Sequence, residues 1–329
     1  MGVRALKKIQ MGQETTAGTA VVATTIWRGK GVLTDARELV EVEEDIGQLV
    51  PLNRMYESHK FAEVKLDETP ATFEQLPYIL ACGVESVATG VADGTGGGKI
   101  YAYDIAVTTT QTPLTLTIEA GDNNRVDEAE YAYVSEWSLA GASREALLME
   151  GTLQARQATD AEFTGSLSAP AVEEILFGEG KLYIDTTTIG TTQQTTTWLG
   201  FKLNCKTGHA PLFSGDGETY FSTIVSGAPE VTGEITLLHD AFAEAEITAA
   251  RAQTTRLVRM IFEGSAVTSG TTYAKKTLKI DLGIVYTKVP ETGEQDEQTI
   301  VTLPFRMVYH TTATVGGQIT VVNTLTALP

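Results

Sequence analysis

The chain has 329 residues, 42% of them hydrophobic, and a formal net charge of −18. That is enough apolar matter for ordinary cores and length for about two domains. No run of about 18 or more apolar residues occurs, which excludes a membrane-spanning helix, and so acidic a chain lacks the Lys and Arg excess that grips nucleic acid by displacing counterions.

Residues 1–30 are small and polar, with one anchor pair at Ile26-Trp27, and read as an extended arm ordered only against something else. The basic start has no uninterrupted apolar segment behind it, so it does not read as a secretory signal. Gly2 lacks the Ser or Thr that a myristoylation start requires. The acidic cluster Glu38 to Asp45 reads as an edge strand whose charge discourages uncontrolled pairing, or as a solvated loop. Residues 59–67 read as a strand, followed by a helix over 71–82 with Phe73, Leu76, Ile79 and Leu80 at helical spacing and Gly83 as its stop. A glycine-rich loop at 90–98 leads to a strand at 99–107.

The stretch 113–157 organises the chain. Leu114, Leu116 and Ile118 alternate with Thr115, Thr117 and Glu119, a period of two that predicts a strand with one apolar face. Gly121-Asp122-Asn123-Asn124 is turn chemistry. A returning strand places Ala129, Tyr131, Tyr133, Trp137 and Leu139 on one face, with Glu128, Glu130, Glu136 and Ser138 on the other. After a break at Ala140-Gly141-Ala142-Ser143, Leu147, Met149, Gly151, Leu153 and Ala155 make a third strand. The result is a sheet with a dry side and a wet side.

A small-residue stretch after Gln157 reads as the linker between two halves, 1–165 and 166–329. Strands are expected at 181–187, 197–208 and 230–240, then a helix over 241–262 with Ile247, Ala250, Leu257, Val258 and Ile261 on one face and Gly264 as its stop. Strands follow at 275–288, 299–310 and 317–325, the first two joined by the turn PETGEQDEQ. Each half thus runs strand, helix, loop, antiparallel strands, and an internal duplication is the economical reading.

Chemistry is sparse. Cys82 and Cys205 match no metal or redox spacing and read as buried thiols of a protein made in a reducing cytosol. His59, His209, His239 and His310 show no ligand spacing. Gly94-Thr95-Gly96-Gly97-Gly98-Lys99 lacks the spacing and the following helix of a phosphate cradle. Asp240, Glu244 and Glu246 oppose the helix dipole. No cofactor site and no enzyme are expected.

Several phrases, in order and over nearly the whole chain, resemble the major tail tube protein of long-tailed bacteriophages: KKIQMGQETTAGTAVVATTIWRG at the start, LPYILACGV (76–84), TIEAGDN (117–123) with EAEYAYVSEWSLAG (128–141), and GEGKLYIDTTTIGTT (178–192) with LGFKLNCKTGHAPLFSGDG (199–217). The resemblance implies a mainly β chain of tail-tube-type β-sandwich or barrel units with a flanking α-helix, duplicated here. Such subunits join their sheets into rings that stack as a tube through which DNA passes. A duplicated unit implies three chains per ring; a single unit implies six. The implied partners are other copies of the chain, with tail-tip, tape-measure and terminator proteins. DNA is transiting cargo only, and the place is the virion after synthesis in the host cytoplasm.

On this reading Glu128, Glu130, Glu136 and Ser138 face the lumen. Candidate subunit contacts are Ile26, Trp27, Glu41, Glu43, Arg251, Arg256 and Arg259. A capsid decoration or tail-completion protein, or a glycan-binding β-sandwich, are the rival readings. The last would want exposed aromatic platforms, whereas Trp27, Trp137 and Trp198 are isolated.

Overall fold

The computed structural model describes residues 2–49, 52–105, 107–268, 270–295 and 297–328. Ala106 in the expected strand 99–107, Ser269 in the loop after Gly264, and Asp296 in the expected turn lie outside them. The chain is mainly β, with 51% strand against 8% helix. No helix among the described residues is long and apolar enough to cross a membrane.

The first half opens with a 3-10 turn at Arg4–Leu6, then β1 (Lys8–Gln13), β2 (Thr25–Ile26), β3 (Gly31–Asp35), a hairpin of β4 (Glu38–Glu43) and β5 (Leu52–His59), and β6 (Ala62–Pro70). Helix α1 (Leu76–Gly83) follows, then β7 (Val91–Ala92), β8 (Lys99–Asp104), β9 (Leu116–Gly121), β10 (Val126–Ala142), β11 (Leu148–Ala155) and β12 (Ala158–Ala161). All eight residues of α1 are buried, as expected for a helix apolar on every side. Ala62, Val64 and Leu66 alternate with exposed Glu63, Lys65 and Asp67 along β6, so one sheet face carries the core.

The second half runs in a similar order, although among the described residues no strands after its helix match β7 and β8. A 3-10 turn at Phe177–Glu179 precedes β13 (Gly180–Asp185), β14 (Gln193–Gln194), β15 (Trp198–Lys206), a hairpin of β16 (His209–Leu212) and β17 (Thr223–Ser226), and β18 (Glu230–Leu238). Helix α2 (Ala241–Arg251) leads to β19 (Arg256–Ala266), β20 (Lys275–Tyr286), β21 (Thr292–Gln295), β22 (Gln298–Met307) and β23 (Gly317–Asn323).

The ladders repeat too, all antiparallel. β1 pairs with β2 and β9, as β13 does with β14 and β19. β3–β6–β11 corresponds to β15–β18–β22. β10 is flanked by β9, β12 and β11; β20 is flanked by β19, β23 and β22. The second half of β10 has its counterpart in β21, which continues the ladder on β22 after a short interruption. Thr24-Thr25-Ile26-Trp27-Arg28-Gly29 and Thr195-Thr196-Thr197-Trp198-Leu199-Gly200 occupy corresponding places. At Gly29 a Cβ would overlap the Trp27 ring, so the close approach requires glycine there. The halves meet where β10 pairs with β15 and β8 with β23, so backbone pairing crosses the 165/166 boundary and one large core runs through both.

Several expectations change. Residues 8–13 and 25–26 are strands and Trp27 is a core residue, 3% exposed, so the N-terminal segment is held by its own chain. The expected strand at 59–67 is β6, displaced a few residues, and α1 starts at Leu76. The expected helix 241–262 ends at Arg251; Leu257, Val258 and Ile261 belong to β19. Gln253, with φ 52°, and the β-branched pair Thr254-Thr255 turn the chain out of the helix. Beyond them RLVRMIF alternates cleanly enough to be claimed by β20 on one side and β13 on the other. A helical and an extended reading of one short apolar run coincide in sequence, and the strand partners decide between them.

Candidate functional site

The strands β3–β6–β11–β10–β15–β18–β22 form one sheet with a broad polar face. Its core side is apolar; the other side carries hydroxyls, amides and charges in cross-strand register. Lys65 stands opposite Thr152, Glu136 opposite both Thr152 and Lys206, and Ser138 opposite Glu150 and Asn204. Farther across, Lys202 faces Glu234, Lys206 faces Glu230, and Thr232 faces Arg306. Ser138 Oγ donates to Glu150 Oε1 at 3.0 Å, and Arg306 lies 3.4 Å from Glu230. Opposite-sign neighbours across strands are individually worth a few tenths of a kcal/mol to about 1 kcal/mol.

A depression of about 480 Å³ sits at the centre of this face, lined by residues of β6, β10, β11, β15 and β18 that include Glu136, Ser138, Thr152, Asn204 and Lys206. It is open, and it gathers no catalytic constellation.

The four expected lumen residues do not share this face. Glu136 is exposed and Ser138 half-buried, and both border the depression. Glu128 and Glu130 lie in the N-terminal part of β10, next to β9 and β12, with Glu128 opposite Glu119. Two irregularities lie between the pairs. Tyr131 has φ 59°, and the β10–β11 ladder slips between Val134 and Glu136; two such slips restore the side-chain parity, and what parts the pairs is that β10 passes between them from β9 and β12 to β11 and β15. Tyr131 is held there because its N–H donates to Glu14 Oε1 at 2.7 Å. Glu128 is half-buried, and burial, with Glu119, Glu130 and Glu14 nearby, raises its pKa. The expected face of carboxylates and hydroxyls also carries cations, since Lys65, Lys202 and Lys206 stand among its carboxylates. They alternate with core residues as plainly as the glutamates do, and that alternation was available in the sequence.

Of the expected contact residues, Ile26 is half-buried and Trp27 buried, within their own chain. Glu41 and Glu43 are exposed on β4. Arg251 is exposed at the end of α2, but Arg256 and Arg259 are strand residues bound internally. Arg256 Nε donates to Glu246 Oε2 at 2.9 Å, and Arg259 binds Asp281 through two bonds of 2.6 and 2.8 Å. The three arginines therefore do not form one basic helix face.

The remaining reactive groups serve local structure. His59 contacts Glu38, His239 contacts Glu244, His209 contacts Ser226, and His310 accepts from the Ala313 N–H. No group of three metal-ligating side chains is placed together among the described residues. Burial raises the pKa of both thiols, that of Cys205 to about 12. Beside the glycine-rich loop, Asp93 is occupied by the N–H groups of Thr272 and Tyr273. Trp137 is buried and Trp198 packs on Phe177, so these tryptophans are anchors and not platforms.

No protein-family model matches the chain, and comparison with curated proteins finds no match.

Proposed function

We propose that this chain is a structural subunit that joins copies of itself edge to edge into rings, and by stacking them builds a hollow tube of the phage tail-tube kind. The supporting observation is the repeat: two halves share one pairing scheme and are already joined side by side through a single sheet, by β10 and β15. A head-to-tail join that rotates each unit by a fixed angle generates a ring when the rotation closes. Three chains would then supply six units around the bore, and closure would remove the sheet edges that otherwise invite indiscriminate pairing.

The chemistry of the polar face suits a lining. Lys202 and Lys206 are set opposite carboxylates and Arg306 lies near Glu230, while Lys65 stands among hydroxyls, so the face offers no continuous cationic track on which a phosphate backbone would be held. DNA in such a bore slides past and is not bound. On this reading the chain is a virion component, and tail-tip, tape-measure and terminator proteins meet the tube at its ends and interior.

Electron microscopy of the purified protein at high concentration tests the reading. Hollow tubes with threefold symmetry and six lobes are the expected result. Strict sixfold symmetry would retain the tube and remove the two-unit reading. A chain that stays monomeric even when tail-tip complexes are added would overturn the function.

A further inference from the structure

The internal seam shows what the seam between copies must look like. In β10, Ala140 stands opposite Lys202 of β15 and Ser138 opposite Asn204. The first-half counterpart of β15 is β3. Among the described residues β3 pairs with β6 on one edge and with no strand on the other. The second-half counterpart of this part of β10 is β21, which pairs only with β22 among the described residues and is exposed throughout. The chain therefore carries one half of an unfilled seam at each end.

A groove of about 490 Å³ runs along the open edge of β3. The backbone of residues 29–33 forms one wall, and Arg4, Lys7, Lys8, Lys30 and Arg125 line it along with three aspartates. In the second half the corresponding place, between β15 and the turn Phe177–Glu179, is filled by the chain leaving β10. There Ser143 N–H donates to Leu199 O at 3.1 Å and Phe177 N–H to Glu145 O at 3.1 Å. The segment that would fill the empty groove is residues 289–295, which carry Glu291 and Glu294 and no Lys or Arg. Acidic strand and cationic groove are complementary.

The ladders also fix the register. Leu33 lies one residue farther from Trp27 than Leu203 does from Trp198, and the two are matched because both point to the core. Their partners Val64 and Gly233 lead to Leu153 and Phe305. Continuing along those strands, Leu148 corresponds to Ile300, whose partner in β21 is Gly293, as Ala140 is the partner of Leu148. Gly293 is thus the counterpart of Ala140, and Val32 that of Lys202.

We propose, resting on the ring reading above, that copies of this chain join by antiparallel pairing of β3 of one copy with residues 289–295 of the next. Gly293 stands opposite Val32 and Glu291 opposite Thr34, and the acidic segment lies in the cationic groove. The same operation lays the β4–β5 hairpin on the neighbour, as the β16–β17 hairpin lies on the first half, where Lys60 N–H donates to Thr219 O at 2.9 Å and Phe221 packs on Tyr131.

The test is cysteine cross-linking of the double variant Val32→Cys/Gly293→Cys, with each single variant as control. Val32 is 50% exposed, and a side chain at 293 meets only ordinary contact with Ile300. The native thiols are buried and stay out of the reaction. Under mild oxidation the double variant should give a ladder of covalent dimers and trimers that neither single variant gives. Glu291→Lys/Glu294→Lys added to the double variant should abolish the ladder while leaving the folded monomer intact by circular dichroism. Rings in the microscope without the cross-link would overturn this seam and leave the ring reading standing. Neither rings nor cross-link would overturn both.

Discussion

Buried carboxylates act here as clasps for the backbone. Glu14, 4% exposed, accepts from Gly18 N–H, Tyr131 N–H and the hydroxyls of Thr115 and Thr117, tying the N-terminal segment to β9 and β10. Asp185 plays the matching part after β13, accepting from the N–H groups of Gly190, Thr191 and Thr192. Burial alone would raise the Asp185 pKa, but the bonds from Thr191 and Thr192 outweigh it and the pKa falls. Its contribution is present above the ordinary carboxylate range and is lost as pH drops through the lowered folded-state value. Glu128 has the opposite sign. Its raised pKa is a penalty at neutral pH that lifts as pH falls through the folded value, so Glu128→Gln should raise Tm at pH 7 and change little at pH 3. Thermal melts at the two pH values check this. Glu246 accepts from Arg256 and from the Tyr286 hydroxyl in a nearly sealed site. Glu246→Ala leaves a cation without its partner and should cost about 3 kcal/mol in urea titration.

Among elements, α2 depends on its ends. Asp240 caps it by accepting from Phe242 N–H and Ala243 N–H at 3.0 and 2.9 Å. Asp240→Ala should lose about 1 kcal/mol of stability by urea titration. Helix α1 and β15 hold Cys82 and Cys205 in the core. Both thiols should be silent to a thiol-specific reagent in the native protein and react at the rate of global opening, which a stopped assay with and without denaturant reads directly. The strand elements of 113–157 were legible because their period of two holds over several residues at a time, although β10 slips at Tyr131 and again between Val134 and Glu136. The second half of 241–262 was not, since its apolar residues fit a helix face as well as a strand face until β13 and β20 take up its backbone groups.

For the whole molecule, the proposed join sets a salt dependence. An acidic strand in a groove bordered by Arg4, Lys7, Lys8, Lys30 and Arg125 is steered by charge that salt screens beyond about 10 Å at 0.1 M. Sedimentation should therefore show assembly slowing as ionic strength rises, although the net charge of −18 alone would predict the reverse by relieving repulsion between copies. The two expectations have opposite signs, and one salt series separates them.

Composition and periodicity by themselves determined the mainly β class, the strands on either side of the Gly121 turn, the inert cysteines and the placement of Glu136 and Ser138 on a wet face. These follow from local physics: side-chain alternation, turn chemistry and the exclusion of charge from a core. The tertiary structure decided the rest. Trp27 became core because β1 pairs with β9, Arg256 and Arg259 turned inward because Glu246 and Asp281 wait for them across the fold, and Glu128 lies apart from Glu136 because β10 leaves β9 and β12 for β11 and β15 between them. Each depends on a partner far away in the chain, and a pattern read along one strand carries no record of what lies across from it.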